Sequence, residues 1–221
     1  SAICSERGSR VGVLTIEGFY ERLIGRPDAP ESFMDWLRIP ARYLSQACSG
    51  EVFSDPLGSF SAVRNVLLGF YPDDVLKKKL AANCAGMAQS GQYNYGRCAK
   101  RGDFGAAYLA GAEFIRHALA AVYLLNGRYM LFYKWAFRGT ADFTCLPGCA
   151  GKLRALTSMP DLTRHRQKLE LIEEVCGMIG SELIRRGWSD NGDAFMQYHA
   201  GMLTDSISDE SIRRLPVMYG G

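Results

Sequence analysis

At 221 residues the chain has room for one large domain, or for one domain and a fragment of a second. Its 48% hydrophobic and 22% charged residues are the ordinary mixture of a soluble globular protein. A net charge of +3 is too small to argue for a nucleic-acid partner.

The residues through about Ser9 read as loop, and Arg10–Leu14 as a short strand with no sheet to join. That strand could pair with another chain or close a domain lying outside this sequence. Thr15 is a suitable N-cap and Gly25 a stop, so Ile16–Ile24 is expected to be a helix. Glu31–Leu37 and Ala41–Cys48 follow as short helices divided at Ile39-Pro40, since proline ends one and opens the next. Gly50–Gly58 is rich in turn residues, and Ser59 can cap a helix through Leu68. Long helices begin at Pro72-Asp73-Asp74, where proline and two acids suit the first turn. The first continues to about Arg101, with Gly86, Gly91 and Gly96 as weak points costing about 1 kcal/mol each. Phe104–Leu125 carries few ionisable groups and is expected to be the central, most buried helix. Asn126-Gly127 can reverse the chain, and Arg128–Arg138 reads as helical. A short helix falls within Pro147–Ser158. A long one, capped by Asp161 or Thr163, runs to about Arg186 with Leu169, Ile172, Cys176, Ile179 and Leu183 on one stripe. Gly187 stops it. The last helical stretch has Phe195, Tyr198, Met202 and Ile207 as its apolar residues, and a turn at Asp209–Leu215 precedes a flexible tail. The fold class expected is all-α, an antiparallel bundle of long helices preceded by short ones.

Seven scattered cysteines show no disulfide framework, which suits a reduced, cytoplasmic protein. No charged start followed by an apolar core and a cleavage site is visible, so export is not expected. The apolar run Ala118–Gly127 is too short to cross a bilayer, so no membrane partner is expected. Cys145 and Cys149 are the close pair, but no neighbouring His or Cys completes a tetrahedral metal set. There is also no Gly-rich phosphate loop and no nucleophile elbow.

Two segments stand out, Gln92–Arg97 and Asn126–Trp135, because each sets cations beside aromatic rings. Such groups suit a flat anion through stacking and charge-assisted hydrogen bonds. Tyr93 and Arg97 lie four apart on a helix, as do Glu113 and His117, Tyr129 and Tyr133, and Lys134 and Arg138. If the chain reverses at Gly127, Lys134 and Arg138 return to the level of Glu113, His117 and Tyr93. The candidate site is then Tyr93, Asn94, Arg97, Glu113, His117, Arg128, Tyr133, Lys134 and Arg138. Packing competes with this reading: Tyr95, Tyr129 and Trp135 suit ring-in, tip-out sealing of a bundle. His117 reads as a core histidine bonded to Glu113 before it reads as a base. Lys77-Lys78-Lys79 reads as a solvated face.

Several stretches together resemble a bacterial family. They are Arg10–Tyr20, Asp35–Pro40, Gly50–Asp55, Tyr71–Val75, Ala88–Tyr95, Leu124–Met130 and Tyr133–Trp135. The family is a helical domain of unknown function that follows a small polymerase-beta-like nucleotidyltransferase domain. The sequence departs from its pattern at Gly127 and Leu131, where a basic residue and a proline are common. The resemblance implies a catalytic half elsewhere in the same polypeptide, with paired aspartates holding Mg²⁺ and a nucleoside triphosphate; those aspartates are not in this chain. This chain would then be the accessory half, without cofactor or catalytic residue of its own, binding a small-molecule or nucleotide acceptor. The second reading is a protein-interaction or homodimerisation module using the same aromatic surface. The third is an independent enzyme with Glu113 and His117 as acid and base, but no nucleophile or oxyanion donor accompanies them.

Overall fold

The computed structural model describes residues 12–190 and 192–221, and among them every regular element is helical. The all-α expectation holds. Arg10 and Val11 of the expected strand lie outside the described residues. The rest of it, Gly12 to Leu14, carries no strand, and Val13 and Leu14 are exposed. With no second strand to accept its backbone bonds, a lone strand has nothing to stabilise it.

Local signals set the first elements. Thr15 Oγ1 accepts from the Gly18 N–H at 3.0 Å and opens α1, Ile16–Ile24. A reciprocal capping box between Ser32 and Asp35 opens α2, Phe33–Arg38, and Ile39-Pro40 divides it from α3, Ala41–Cys48. In α4, Ser59–Leu68, Ser59 is not the cap but the first helical residue. The Asp55 carboxylate does the capping work there, accepting from the Ser61 N–H at 2.7 Å.

From Asp73 the chain runs helically to Lys100 in three parts: α5 (Asp73–Met87), a π-helical segment (Ala88–Tyr95) and α6 (Gly96–Lys100). After Gly102 the chain returns as α7, Phe104–Leu125. The glycines expected to be weak points mark close approach instead. A Cβ at Gly86 would lie 2.4 Å from the His117 ring, and one at Gly91 would lie 2.3 Å from Phe114. These two glycines let ring side chains of α7 rest on the backbone of its partner. At its far end α7 closes in a Schellman arrangement: Gly127 takes a φ of 64°, and the Arg128 N–H donates to the Tyr123 carbonyl.

The central helix is α5, not α7. It packs against α7 on one side and on the other against α11, Met196–Asp205, and nearly every residue from Asp74 to Met87 is out of solvent. The first half of α7 exposes Tyr108 and Leu109, while its second half is buried. The lysine run is no solvated face either. Lys78 is 0% exposed and Lys79 7%. Their ammonium groups donate to the carbonyls of Leu215 and Gly220 at 2.8 and 3.1 Å, and Lys77 reaches the Ser206 carbonyl at 3.3 Å. These bonds seat α12, Glu210–Arg213, and the residues after it on α5, so the stretch expected as a flexible tail packs against the fold. Hydropathy alone missed this, because a long lysine stem buries well when its head finds carbonyls.

The expected helix over Arg128–Arg138 is reduced to α8, Tyr133–Ala136, and a 3-10 turn at Arg138–Thr140. Tertiary burial overrides local propensity here: Tyr129 packs on Tyr71 with ring centroids 4.9 Å apart and donates to the Leu67 carbonyl at 2.7 Å. After α9 (Cys149–Ser158) comes α10 (Asp161–Arg185), which has non-helical backbone at Arg164 and the expected buried stripe, with Leu169 half-buried. Asp161 is not its cap; its carboxylate lies buried, accepting from Tyr95 Oη at 2.7 Å and Lys168 Nζ at 2.8 Å. Arg186 ties the ends together, donating to Glu182 and to the Leu125 carbonyl of α7 at 2.6 Å. On α11 the buried face is Met196, His199, Ala200 and Leu203; Tyr198, one of the apolar residues noted in the sequence, is half exposed. No helix among the described residues is long and apolar enough to cross a membrane.

Candidate functional site

The residues singled out in the sequence form separate local groups. Arg97 donates to the Tyr93 hydroxyl at 2.7 Å, with its guanidinium 4.6 Å from the ring centroid, so this pair satisfies itself. Asn94 lies beside it, half-buried. Arg128 pairs loosely with Asp142 at 3.5 Å. Lys134 and Arg138 flank the Trp135 ring at 5.6 and 5.4 Å. Among the described residues, no hydrogen bond, ion pair or ring contact joins Tyr93 or Arg97 to Lys134 or Arg138. The register along α7 keeps them apart. Gly111 meets Tyr95 and Phe114 meets Gly91, whereas Tyr133 shares a hollow with Arg116, Ala120 and Leu124, further along the helix.

Glu113 and His117 do not pair. Glu113 takes Arg116 at 2.7 Å. His117 is buried, with Nδ1 3.0 Å from Asn83 Oδ1 and Nε2 2.7 Å from Arg116 Nη2. A guanidinium only donates, so Nε2 accepts and Nδ1 carries the proton toward Asn83. Asn83 fits this assignment, because its Nδ2 is already donating to the Lys79 carbonyl at 2.8 Å. Burial, and then the neighbouring Arg116 charge, bring the His117 pKa down to about 4. With its lone pair engaged, this imidazole positions Arg116.

Arg116 points the way to a cleft of about 570 Å³. Its walls are the α2–α3 corner (Leu37 to Arg42), one face of α5 (Lys79, Asn83), α7 from Arg116 to Leu124, the loop Met130–Tyr133, and Gly220 with Gly221. Four of the lining residues are cations (Arg38, Arg42, Lys79 and Arg116), and none of the described residues that line it is acidic. The Ile39-Pro40 break sets Arg38 and Arg42 on either side of one corner. Arg42 lies against the ring of Tyr43, 4.6 Å from its centroid. Glu113 and His117 hold the Arg116 guanidinium from two sides. Phe132 and Tyr133 offer ring faces at the mouth, their centroids 4.4 Å apart.

At the floor the cleft is drier. Lys79 stands 5.1 Å over the Tyr71 ring, and burial brings its pKa down to about 8. The Tyr71 hydroxyl is buried and has no hydrogen-bond partner among the described residues. Of the residues expected from the sequence, Tyr133 alone lines the cleft. The sequence reading found the proline break at Ile39-Pro40 but not the two arginines beside it, Arg38 and Arg42, and Lys79 and Arg116 needed the third dimension.

Among the described residues, no group of three His, Cys, Asp or Glu side chains could hold a metal ion. Cys145 lies 3.6 Å from the Arg186 guanidinium, and the buried Cys149 thiol is pushed up to about 12. Residues 36–136 match a domain of unknown function, DUF4037. That span contains every wall of the cleft except Gly220 and Gly221. No curated protein and no solved structure matches the chain.

Proposed function

We propose that this chain is the acceptor-binding helical half of a nucleotidyltransferase-like protein, and that the cleft holds an anionic, ring-bearing small molecule of the nucleotide class. The observation that carries the proposal is the lining of the cleft: four cations, no acidic side chain among the described residues, and the rings of Phe132 and Tyr133. Cations that outnumber their counter-charges attract an anion (among the described residues, Arg116 is the one of the four paired with a carboxylate, that of Glu113), and guanidinium groups pair with phosphate or carboxylate oxygens in a fixed fork. Arg116 is held ready by Glu113 and His117, so ordering it on binding costs little. Phe132 and Tyr133 suit the flat end of such a ligand. The Mg²⁺, the triphosphate and the paired aspartates that transfer needs would come from a separate catalytic domain.

Calorimetric titration of the chain with ATP, ADP and adenosine tests this. The phosphorylated ligands should bind, adenosine more weakly, and affinity should fall as salt rises. Arg116→Gln should cost about 10- to 100-fold, the worth of a hydrogen bond to a charged group. No binding by any of the three overturns the reading. A second reading, a protein-interaction module, draws on the exposed Phe53 and Leu57, 95% and 88% accessible. It predicts a concentration-dependent mass and no nucleotide binding.

A further inference from the structure

The floor of the cleft holds two polar groups whose requirements the fold leaves unmet. Tyr71 is buried, and its hydroxyl has no partner among the described residues; a buried donor left so costs free energy unless something else enters. Lys79 is equally buried. Among the described residues its ammonium has one acceptor, the Gly220 carbonyl at 3.1 Å. An ammonium has three N–H donors and prefers an anionic partner in a dry site. Gly220 supplies only a neutral oxygen.

The segment that brings this carbonyl is seated in an unusual way. Lys77 and Lys78 hold Ser206 and Leu215 outside the cleft, whereas Gly220 and Gly221 reach the cleft wall. Gly220 has a φ of 91°, and a Cβ there would lie 3.0 Å from Leu37 Cδ2. At Gly221 a Cβ would lie 3.1 Å from that of Ala82. The seat therefore accepts backbone and little else.

We propose that Lys79 and Tyr71 form a phosphate subsite at the floor of the cleft, and that Gly220 and Gly221 occupy it as an internal competitor which the ligand displaces. The proposal rests on the reading above that the cleft binds an anion. A phosphate oxygen would take the place of the Gly220 carbonyl on Lys79, and a second would accept from the Tyr71 hydroxyl. The charge exchange favours the ligand, since an ion pair replaces an ion–dipole contact. The connection back to Leu215 keeps the displaced residues near, so they compete at a high effective concentration.

The test uses the whole chain with inorganic phosphate and with ADP as probes. Lys79→Met keeps the stem and removes the charge; it should weaken both probes by at least about tenfold, the loss of a charged hydrogen bond. Tyr71→Phe should weaken them less. Gly220→Val strains the backbone at its positive φ and crowds Leu37, unseating the segment without touching a cation, so both probes should bind several-fold tighter. In ¹⁵N spectra of the native chain, ADP should move the Gly220 amide toward its unstructured position. Circular dichroism of each variant confirms that the fold persists. If ADP binds and Arg116→Gln weakens it, while Lys79→Met and Gly220→Val change nothing, this inference is overturned and the reading of the cleft stands. If ADP binds neither the native chain nor Gly220→Val, both fall. A response to ADP but not to inorganic phosphate in Gly220→Val overturns an independent phosphate subsite.

Discussion

Arg116 can only donate, and through that one constraint it sets the tautomer and charge of His117. The imidazole sits against Gly86 with no space to spare, and its pKa of about 4 lies well below the ordinary histidine value. The sign follows from proton binding: between about pH 6.5 and 4 the unfolded chain takes up a proton at this site that the folded chain does not. Stability is complete above that window and falls as pH drops through it, by up to about 3 kcal/mol at 1.36 kcal/mol per unit of pKa. His199, also buried with a lowered pKa, adds to the slope. Urea unfolding at pH 7 and pH 5 should show the loss, and His117→Gln should flatten part of it. An unchanged difference between the two pH values in that variant would show that His117 is not the group responsible.

Among the elements, the contact between the α5–π segment and α7 depends on glycine. Alanine at Gly91 gains roughly 1 kcal/mol in helix propensity, but its Cβ would strike the buried Phe114 ring at 2.3 Å. Overpacking of that kind costs about 1–3 kcal/mol, sometimes more, so Gly91→Ala should destabilise the chain. Gly201 on α11 is exposed, with nothing near a prospective Cβ. Gly201→Ala should therefore stabilise by up to about 1 kcal/mol. Urea midpoints compare the two directly, and shifts of the same sign would mean the helices do not meet at Gly91. The same contact explains why the glycines of this run could be noticed but not interpreted in sequence. Propensity shows their cost, and only the opposing helix shows their use.

At the scale of the molecule, the cleft is assembled from parts far apart in the chain: Arg38, Lys79, Arg116, Tyr133 and Gly220. Such a site binds and orients, and nothing in its lining supplies the paired carboxylates that two-metal transfer chemistry uses. Incubated with a nucleoside triphosphate, Mg²⁺ and acceptor, the chain by itself should therefore turn over nothing. Radiolabel transfer that persists through further purification would overturn the accessory assignment.

What the sequence determined by itself was the set of helices. Ile16–Ile24, Ala41–Cys48 and Phe104–Leu125 begin and end where expected, because caps, prolines and stop glycines act on backbone groups only a few residues away. Pairings four residues apart were partly legible for the same reason: Arg97 meets Tyr93, and Lys134 and Arg138 share Trp135. Glu113 and His117 had the same spacing but not the same outcome, since Arg116 and Asn83 offered better partners. Tertiary structure decided the rest. It made α5 the centre, drew Lys78 and Lys79 inside, held Tyr129 out of a helix and placed the cleft around Arg116. Each of these depends on burial against residues distant in sequence, and burial is what separates a solvated lysine from one held by buried carbonyls.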